Sequence, residues 1–223
     1  WKGRKKVYGY SGNPLEEIVK AANSYNPDIL VAPEFMLYDG KKPLSEDEKK
    51  AAAARIMQEV DRKDMLIMPG TAMWSAKYSR VFNSCPVISD GKVEDYSKGM
   101  RTDEDGVIAD NLDLYFGTGI ERGKIIKWKG LDIGLEICAD HKVGRLLDAG
   151  RRVDIHIVTA SGMDHEPKND CSRIGGDFVL CDGFEGRRNE VLQKKSIDEF
   201  ELLYPVRGGS SVEIYSLPLE VED

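Results

Sequence analysis

No stretch of the 223 residues stays apolar for the roughly 20 positions that carry a helix across a bilayer. No cationic segment, apolar run and small-residue cleavage site stand in succession at the start. The expectation is a soluble, cytoplasmic protein without a membrane partner. A basic stripe is also lacking. With 32 Lys and Arg against 39 Asp and Glu, the formal net charge is -7, which disfavours the clustered cation contacts that hold a nucleic-acid backbone. The short run Lys2, Arg4, Lys5 and Lys6 reads as a solvated terminus. Cysteine is sparse: Cys85, Cys138, Cys171 and Cys181 lie far apart without CxxC or HxH spacing. Neither a zinc site nor a disulfide framework is expected, and the thiols should be reduced. No repeat, linker or low-complexity segment interrupts the chain. It opens on Trp1 rather than Met, which fits a trimmed chain with sequence missing upstream.

What is present is the composition of an ordinary globular protein, 41% hydrophobic and 32% charged. The length suits one domain over residues 1–223. Lys6 to Tyr10 reads as a short strand. Asn13 and Pro14 then give the cap and first-turn signals of a helix with Leu15, Ile18, Val19 and Ala22 on one face, ending near Asn26-Pro27. Ile29 to Ala32 is a continuous apolar run closed by Pro33, the pattern of a strand buried on both faces and ending at Glu34. Ser45 and Glu48 make a capping box ahead of a helix of about four turns. Leu66 to Met68, Val81 to Ser89 and Lys92 to Lys98 read as strands, the last two joined at an Asp90-Gly91 hairpin turn. The polar stretch Thr102 to Asn111 lacks periodicity and reads as a loop. Ile125 to Trp128 and Leu131 to Ile137 form a second hairpin across Lys129-Gly130, and its second arm delivers Cys138. A short helix over Val143 to Ala149, closed by Gly150, precedes a strand over Val153 to Ala160. Phe178 to Cys181 and Ser211 to Leu217 complete the strands. Helices alternating with strands and hairpins indicate an α/β layered fold in which polar groups at strand ends converge on one edge.

Three such ends are Glu34, Lys98 and Cys138. Taken singly, each has a plain reading: a free cysteine is usually a small buried hydrophobe, and a lone Glu or Lys at a turn is usually solvated. Taken together, a carboxylate, an ammonium and a thiol are a complete set for attack on a carbonyl or nitrile carbon. The carboxylate removes the thiol proton and the ammonium favours the thiolate. The ammonium and the backbone N–H of Ala139 then stabilise the oxyanion. Cys85, Cys171 and Cys181 are assigned to packing. His141, three residues past Cys138, is an alternative base but sits in an exit turn where polar residues are common. His156 alternates with apolar residues and reads as a core histidine. His165 sits in a polar loop.

The segments DILVAPEF, LIMPGT followed by VFNSCPVISDGKVEDYSKGM, and GLDIGLEICAD resemble, in that order, the glutamate, lysine and cysteine motifs of the nitrilase-like carbon–nitrogen hydrolase family. The intervals of about 64 and about 40 residues between the motif residues fit as well. The resemblance spans most of Asp28 to Phe184. It implies a four-layer α-β-β-α sandwich and commonly a homodimer. It also implies a Glu34-Lys98-Cys138 triad and a second glutamate near the lysine, for which Glu104 and Glu121 are the candidates. The N-terminal strand region is short, and the part from about 185, with GRRNEVLQKKSIDEF, departs from the family's closing pattern. The implied activity is hydrolysis of a small-molecule amide or carbamoyl compound through a thioester, without metal or cofactor. Asp140, two positions after the cysteine, suggests amides before nitriles. An acyltransferase using the same triad and a catalytically silent binding or assembly protein are the alternatives.

Overall fold

The computed structural model describes residues 12–76, 79–111, 114–187, 189–208 and 212–217. The chain forms two compact units, Trp1–Glu121 and Arg122–Asp223. The expected strand at Lys6 to Tyr10 lies outside the described residues.

In the first unit, helix α1 (Pro14–Tyr25) starts where the Asn13 side chain accepts the Glu16 N–H and stops where Asn26 turns left-handed, at φ 48°. Its buried Ile18 and Ala22 share a core with Ala53 and Ile56 of α2 (Glu46–Glu59). That second helix begins with the capping box read from its sequence: Ser45 Oγ accepts the Glu48 N–H at 3.2 Å and Glu48 Oε2 accepts the Ser45 N–H at 2.7 Å. The unit's strands are β1 (Ile29–Val31), β2 (Leu44–Ser45), β3 (Leu66–Met68), β4 (Ala72–Ala76), β5 (Arg80–Ser89), β6 (Lys92–Ser97) and β7 (Tyr115–Phe116). Among the described residues they make a seven-stranded sheet in the order β1-β3-β5-β4-β2, with β6 and β7 also paired to β5. The β5–β6 hairpin turns through Asp90 and Gly91, at φ 48° and 71°, the double positive φ that an Asp-Gly turn accommodates.

Two expectations are corrected here. The β1 run is half-buried at the edge of the described sheet, not buried on both faces, although its apolar residues suggested otherwise. The stretch Thr102 to Asn111 is not a loop, because Asp103–Asn111 is a helix, α3. Its start is local chemistry: Thr102 Oγ1 accepts the Asp105 N–H at 3.3 Å while Asp105 Oδ2 accepts the Thr102 N–H at 2.9 Å. Asp103, Glu104 and Asp105 then place negative charge on the first turn, where the helix dipole favours it.

The second unit is built on β8 (Lys124–Trp128), β9 (Leu131–Ile137), β10 (Val153–Ala160), β11 (Ser172–Asp182), β12 (Glu190–Lys194) and β13 (Phe200–Leu203), a six-stranded sheet in the order β13-β12-β11-β10-β9-β8. A separate pair, β14 (Arg207–Gly208) and β15 (Glu213–Ile214), follows it. Strands β9, β10 and β11 run parallel in the middle, and β9 and β10 are buried on both faces over most of their length, as central parallel strands are. The helix expected over Val143 to Ala149 is displaced: α4 (Ala139–Lys142) comes earlier, and only a 3-10 turn at Leu147–Ala149 follows. Gly144, at φ 69°, interrupts the helical path between them. Gly150 closes the turn left-handed, as read. The strand expected over Phe178 to Cys181 is longer, and the one over Ser211 to Leu217 reduces to β15, with Ser211 outside the described residues.

One acidic residue of the six-stranded sheet stands out. Asp177, in the middle of β11 and opposite Ile155 and Gln193, is fully buried, and among the described residues neither carboxylate oxygen has a hydrogen-bond partner. Burial pushes its pKa up to about 7. A carboxyl group raised in the folded state contributes its full stability below its unfolded value and loses it as pH rises through the folded value. Asp177→Asn should therefore leave stability unchanged at pH 4 and raise it by about 1–3 kcal/mol at pH 8, read by urea unfolding at both pH values. Gly70 is a second pressure point. At φ 80°, an added Cβ would lie 2.2 Å from Pro33 O and 2.6 Å from Met36 Cβ. Gly70→Ala should cost about 1–3 kcal/mol in the same measurement.

Candidate active site

In the first unit the glutamate and lysine segments are one structural object. As the chain leaves β1, the Ala32 N–H donates to Met68 O at 2.8 Å and the Leu37 N–H to Thr71 O at 3.0 Å. Between them the Phe35 N–H donates to Thr71 Oγ1 at 2.8 Å, and Phe35 itself is left-handed at φ 63°. The Pro33-Glu34-Phe35 turn is thus moulded against Pro69-Gly70-Thr71, and the absence of a side chain at Gly70 is what lets the two segments approach. The turn directs Glu34 inward, where its side chain is 1% exposed.

Lys98 follows β6. Its N–H donates to Asn83 O, and its carbonyl accepts the Gly119 N–H, each at 2.8 Å. Its side chain is fully buried, and its Nζ stands 2.7 Å from Glu34 Oε1 and 2.8 Å from Asp105 Oδ2. Asn83, from β5, closes the ring: its Nδ2 donates to Glu34 Oε1 at 2.8 Å and to Asp105 Oδ1 at 3.1 Å. The buried second carboxylate bonded to Lys98 is therefore that of Asp105, whereas Glu104, one residue earlier on α3, is exposed, as is Glu121. Asp105 is held in turn by Thr102, whose N–H and Oγ1 both donate to Oδ2 at 2.9 Å.

In the second unit Cys138 ends β9, 6% exposed, with φ 44° and ψ -108°, a backbone conformation that an L residue holds only under constraint. The Cys138 N–H donates to Thr159 O on β10, and its carbonyl accepts the His141 N–H, both at 2.9 Å. Ala139 opens the short helix α4. Asp140 is fully buried, with Arg145 Nε 3.7 Å from its Oδ1. His141 is also buried, and both ring nitrogens are occupied: Nδ1 by Glu136 Oε2 at 3.0 Å and Nε2 by the Glu166 N–H at 3.3 Å. A histidine so engaged has no nitrogen left to take a thiol proton, which sets aside its reading as a base. Burial lowers its pKa, opposed by the Glu136 bond.

His156 is the core histidine its pattern suggested, with Nε2 3.0 Å from Glu136 Oε2. His165 packs at a tilt against Phe178, ring centroids 4.1 Å apart, and burial pushes its pKa down to about 4. The thiols of Cys171 and Cys181 are each pushed up to about 12 by burial, as suits packing residues. Sequence reasoning missed Asn83, Asp105 and Glu136. A Thr-x-x-Asp cap signature marks Asp105, and Asn83 and Glu136 are polar residues inside otherwise apolar strands.

No family model and no curated protein matches the sequence. Solved structures do. A cysteine-to-alanine mutant of an amidase of the nitrilase superfamily from Nesterenkonia AN1 aligns with TM-score 0.59 at 15% identity, over 85% of this chain and 83% of that one. Another mutant of the Nesterenkonia sp. AN1 amidase, showing covalent addition of the acetamide moiety of fluoroacetamide at the active site cysteine, aligns with TM-score 0.58 at 14% identity, over 84% and 80%. The glutamine-dependent NAD+ synthetase of Acinetobacter baumannii aligns with TM-score 0.62 at 15% identity, over 94% of this chain but 41% of that longer chain. With its order of strands and helices, the chain therefore has the α/β sandwich fold of the nitrilase-like carbon–nitrogen hydrolases.

Proposed function

We propose that this protein is a cysteine hydrolase that cleaves a carbon–nitrogen bond other than a peptide bond, in a small amide or carbamoyl compound. The observation that carries the reading is the fully buried Lys98 ammonium, held between the carboxylates of Glu34 and Asp105. Such an arrangement is a poor way to gain stability, because desolvating the three charges offsets most of their attraction. It is a good way to hold one ammonium and one carboxylate in fixed positions for chemistry. The strained Cys138 backbone at a strand end adds to this, as do the covalent adducts at the active site cysteine of the Nesterenkonia amidase.

In this reading Glu34 accepts the Cys138 thiol proton and the sulfur attacks the carbonyl carbon. The electron pair moves to the carbonyl oxygen, where the Lys98 ammonium and the Ala139 N–H stabilise it. Collapse breaks the C–N bond as Glu34 returns the proton to the leaving nitrogen. Glu34 then deprotonates a water that attacks the thioester, releasing the acid and restoring the thiol. Asp105 and Asn83 touch Lys98 and Glu34 and act as their positioning residues. An exchange of water for an amine at the last step would make the enzyme an acyltransferase.

Cys138→Ala should abolish turnover while the circular dichroism spectrum stays that of the parent protein. Glu34→Gln and Lys98→Met should each lower kcat by about a hundredfold or more, and a loss under about tenfold would set that residue aside. Ammonia release should be tested on glutamine, small aliphatic amides, ureido acids and the matching nitriles. Amides or carbamoyl compounds should show the higher kcat/KM, and a uniform preference for nitriles would overturn the amidase reading while leaving the triad standing. We further propose a homodimer, the commonest closed assembly, for which light scattering of the active protein should give twice the chain mass of 24.9 kDa.

A further inference from the structure

We infer that Glu136 is a positioning residue for the cysteine, a buried carboxylate that ties the strand before Cys138 to the turn after it. The inference rests on the reading of Cys138 as nucleophile and adds to it a residue outside the Glu-Lys-Cys set. Glu136 is fully buried on β9, two residues before Cys138. Its Oε2 lies 3.0 Å from His141 Nδ1, three residues past the cysteine, and its Oε1 accepts the Leu146 N–H at 2.6 Å. From the neighbouring strand β10, His156 Nε2 reaches the same Oε2 at 3.0 Å. The turn is also held from outside, since Asn169 Nδ2 donates to the carbonyls of His141 and Lys142 at 2.8 and 2.9 Å. A backbone at φ 44° and ψ -108° persists only where its surroundings leave it no relaxed alternative. Removing Glu136 would free both sides of the bend at once.

The same three side chains, Glu136, His141 and His156, invite a second interpretation, because their donor atoms lie within 4.8 Å of one another, close enough to suggest a metal. The hydrogen bonds on the far sides of the rings argue against it. The Glu166 N–H points at His141 Nε2, so the ring proton must sit on Nδ1, facing Glu136. His156 Nδ1 receives the Cys171 N–H at 3.1 Å with Asp170 Oδ1 at 3.3 Å, and its Nε2 must carry a proton to face the Glu136 carboxylate. A metal on the nitrogens nearest Glu136 would drive the His141 proton against the Glu166 N–H. The arrangement is a carboxylate receiving three N–H donors, which holds its pKa at about 2 against the pull of burial in the other direction.

The test is the alkylation of Cys138 by iodoacetamide at neutral pH, followed by peptide mass spectrometry, beside steady-state kinetics on the best amide. In the parent protein Cys138 should be the fastest of the four thiols. If it is not, the nucleophile reading fails, whatever Glu136 does. In Glu136→Gln, which keeps the side chain's shape but offers one oxygen and an NH2 and so cannot accept from the two rings and from the Leu146 N–H at once, alkylation of Cys138 should slow and kcat should fall about tenfold or more. KM should move little, the unfolding midpoint should fall because the ionised carboxylate stabilises the fold at neutral pH, and Glu136→Asp should recover part of the loss in both rates. A folded Glu136→Gln protein whose Cys138 is alkylated at the parent rate overturns the inference. So does one equivalent of zinc bound by the parent and lost in the variant. If Glu136→Gln fails to fold, His141→Gln removes one donor and leaves the ties to His156 and Leu146. Its Cys138 should be slowed as well, and an unchanged rate would count against the inference equally.

Discussion

The ammonium of Lys98 is the group around which the first unit is organised. Taking a lysine wholly out of water costs several kcal/mol unless the lost hydration is replaced by bonds of good geometry. Here the replacement comes from segments far apart in sequence: Glu34 from the turn after β1, Asp105 from the first turn of α3, and Asn83 from β5 bridging both carboxylates. Each supplier is fixed by its own local device. Thr71 and the bare backbone of Gly70 shape the Glu34 turn, the Thr102 cap holds Asp105, and the β5–β6 pairing places Asn83 beside the backbone of Lys98. Displacing any of them strands a buried charge, so the cluster specifies the packing around it more than it adds to stability.

Strain is found at the corresponding places in both units. Glu34 is followed by Phe35 at φ 63°, in the turn after β1, and Cys138, directly after β9, is itself at φ 44°; both are non-glycine residues at positive φ. An extended strand end would point its last side chain to one face of the sheet. A left-handed turn re-aims it, at a cost of about 1–3 kcal/mol that the surrounding hydrogen bonds must offset. For Phe35 those bonds come from Thr71, and for Cys138 from Thr159 O and the His141 N–H. In the proposed reading both are places where side-chain direction matters to the chemistry.

Much of this was legible in the sequence because the signals were local. The Asp90-Gly91 and Lys129-Gly130 turns, the Ser45-Glu48 box and the Asn13-Pro14 start each depend on a few adjacent residues, and each appears where it was read. Glu34 and Lys98 were singled out as polar residues at strand ends, and they meet at 2.7 Å. What escaped had its signal masked or its partners distant. The acids and the glycine of Asp103 to Asn111 hid α3, and with it Asp105, since a helix carried by its cap and dipole shows little apolar periodicity. Glu136 hid because a carboxylate in an apolar strand looks like an interruption until its histidine partners, brought in from the turn and from β10, are seen.

The second unit's sheet contains two buried carboxylates with opposite proton preferences. Glu136 accepts three N–H donors and is held at about 2, whereas Asp177 has no hydrogen-bond partner among the described residues and is pushed up to about 7. The group with a lowered pKa stabilises the fold above its unfolded value of 4.5 and loses that contribution as pH falls towards 2. The group with a raised pKa contributes fully below its unfolded value of 3.8 and loses it as pH climbs towards 7. The two trends cross at about pH 4, so from these groups alone the sheet is strongest in mild acid and already weakened at neutrality. Ionisation of Glu136 is what its three donors require, and at neutral pH it is complete. The cost of working there falls on Asp177, on the alternate positions of β11 from Phe178, the ring against which His141 and His156 pack. The sheet thus keeps the charge that binds the cysteine turn and gives up stability at a residue outside that network.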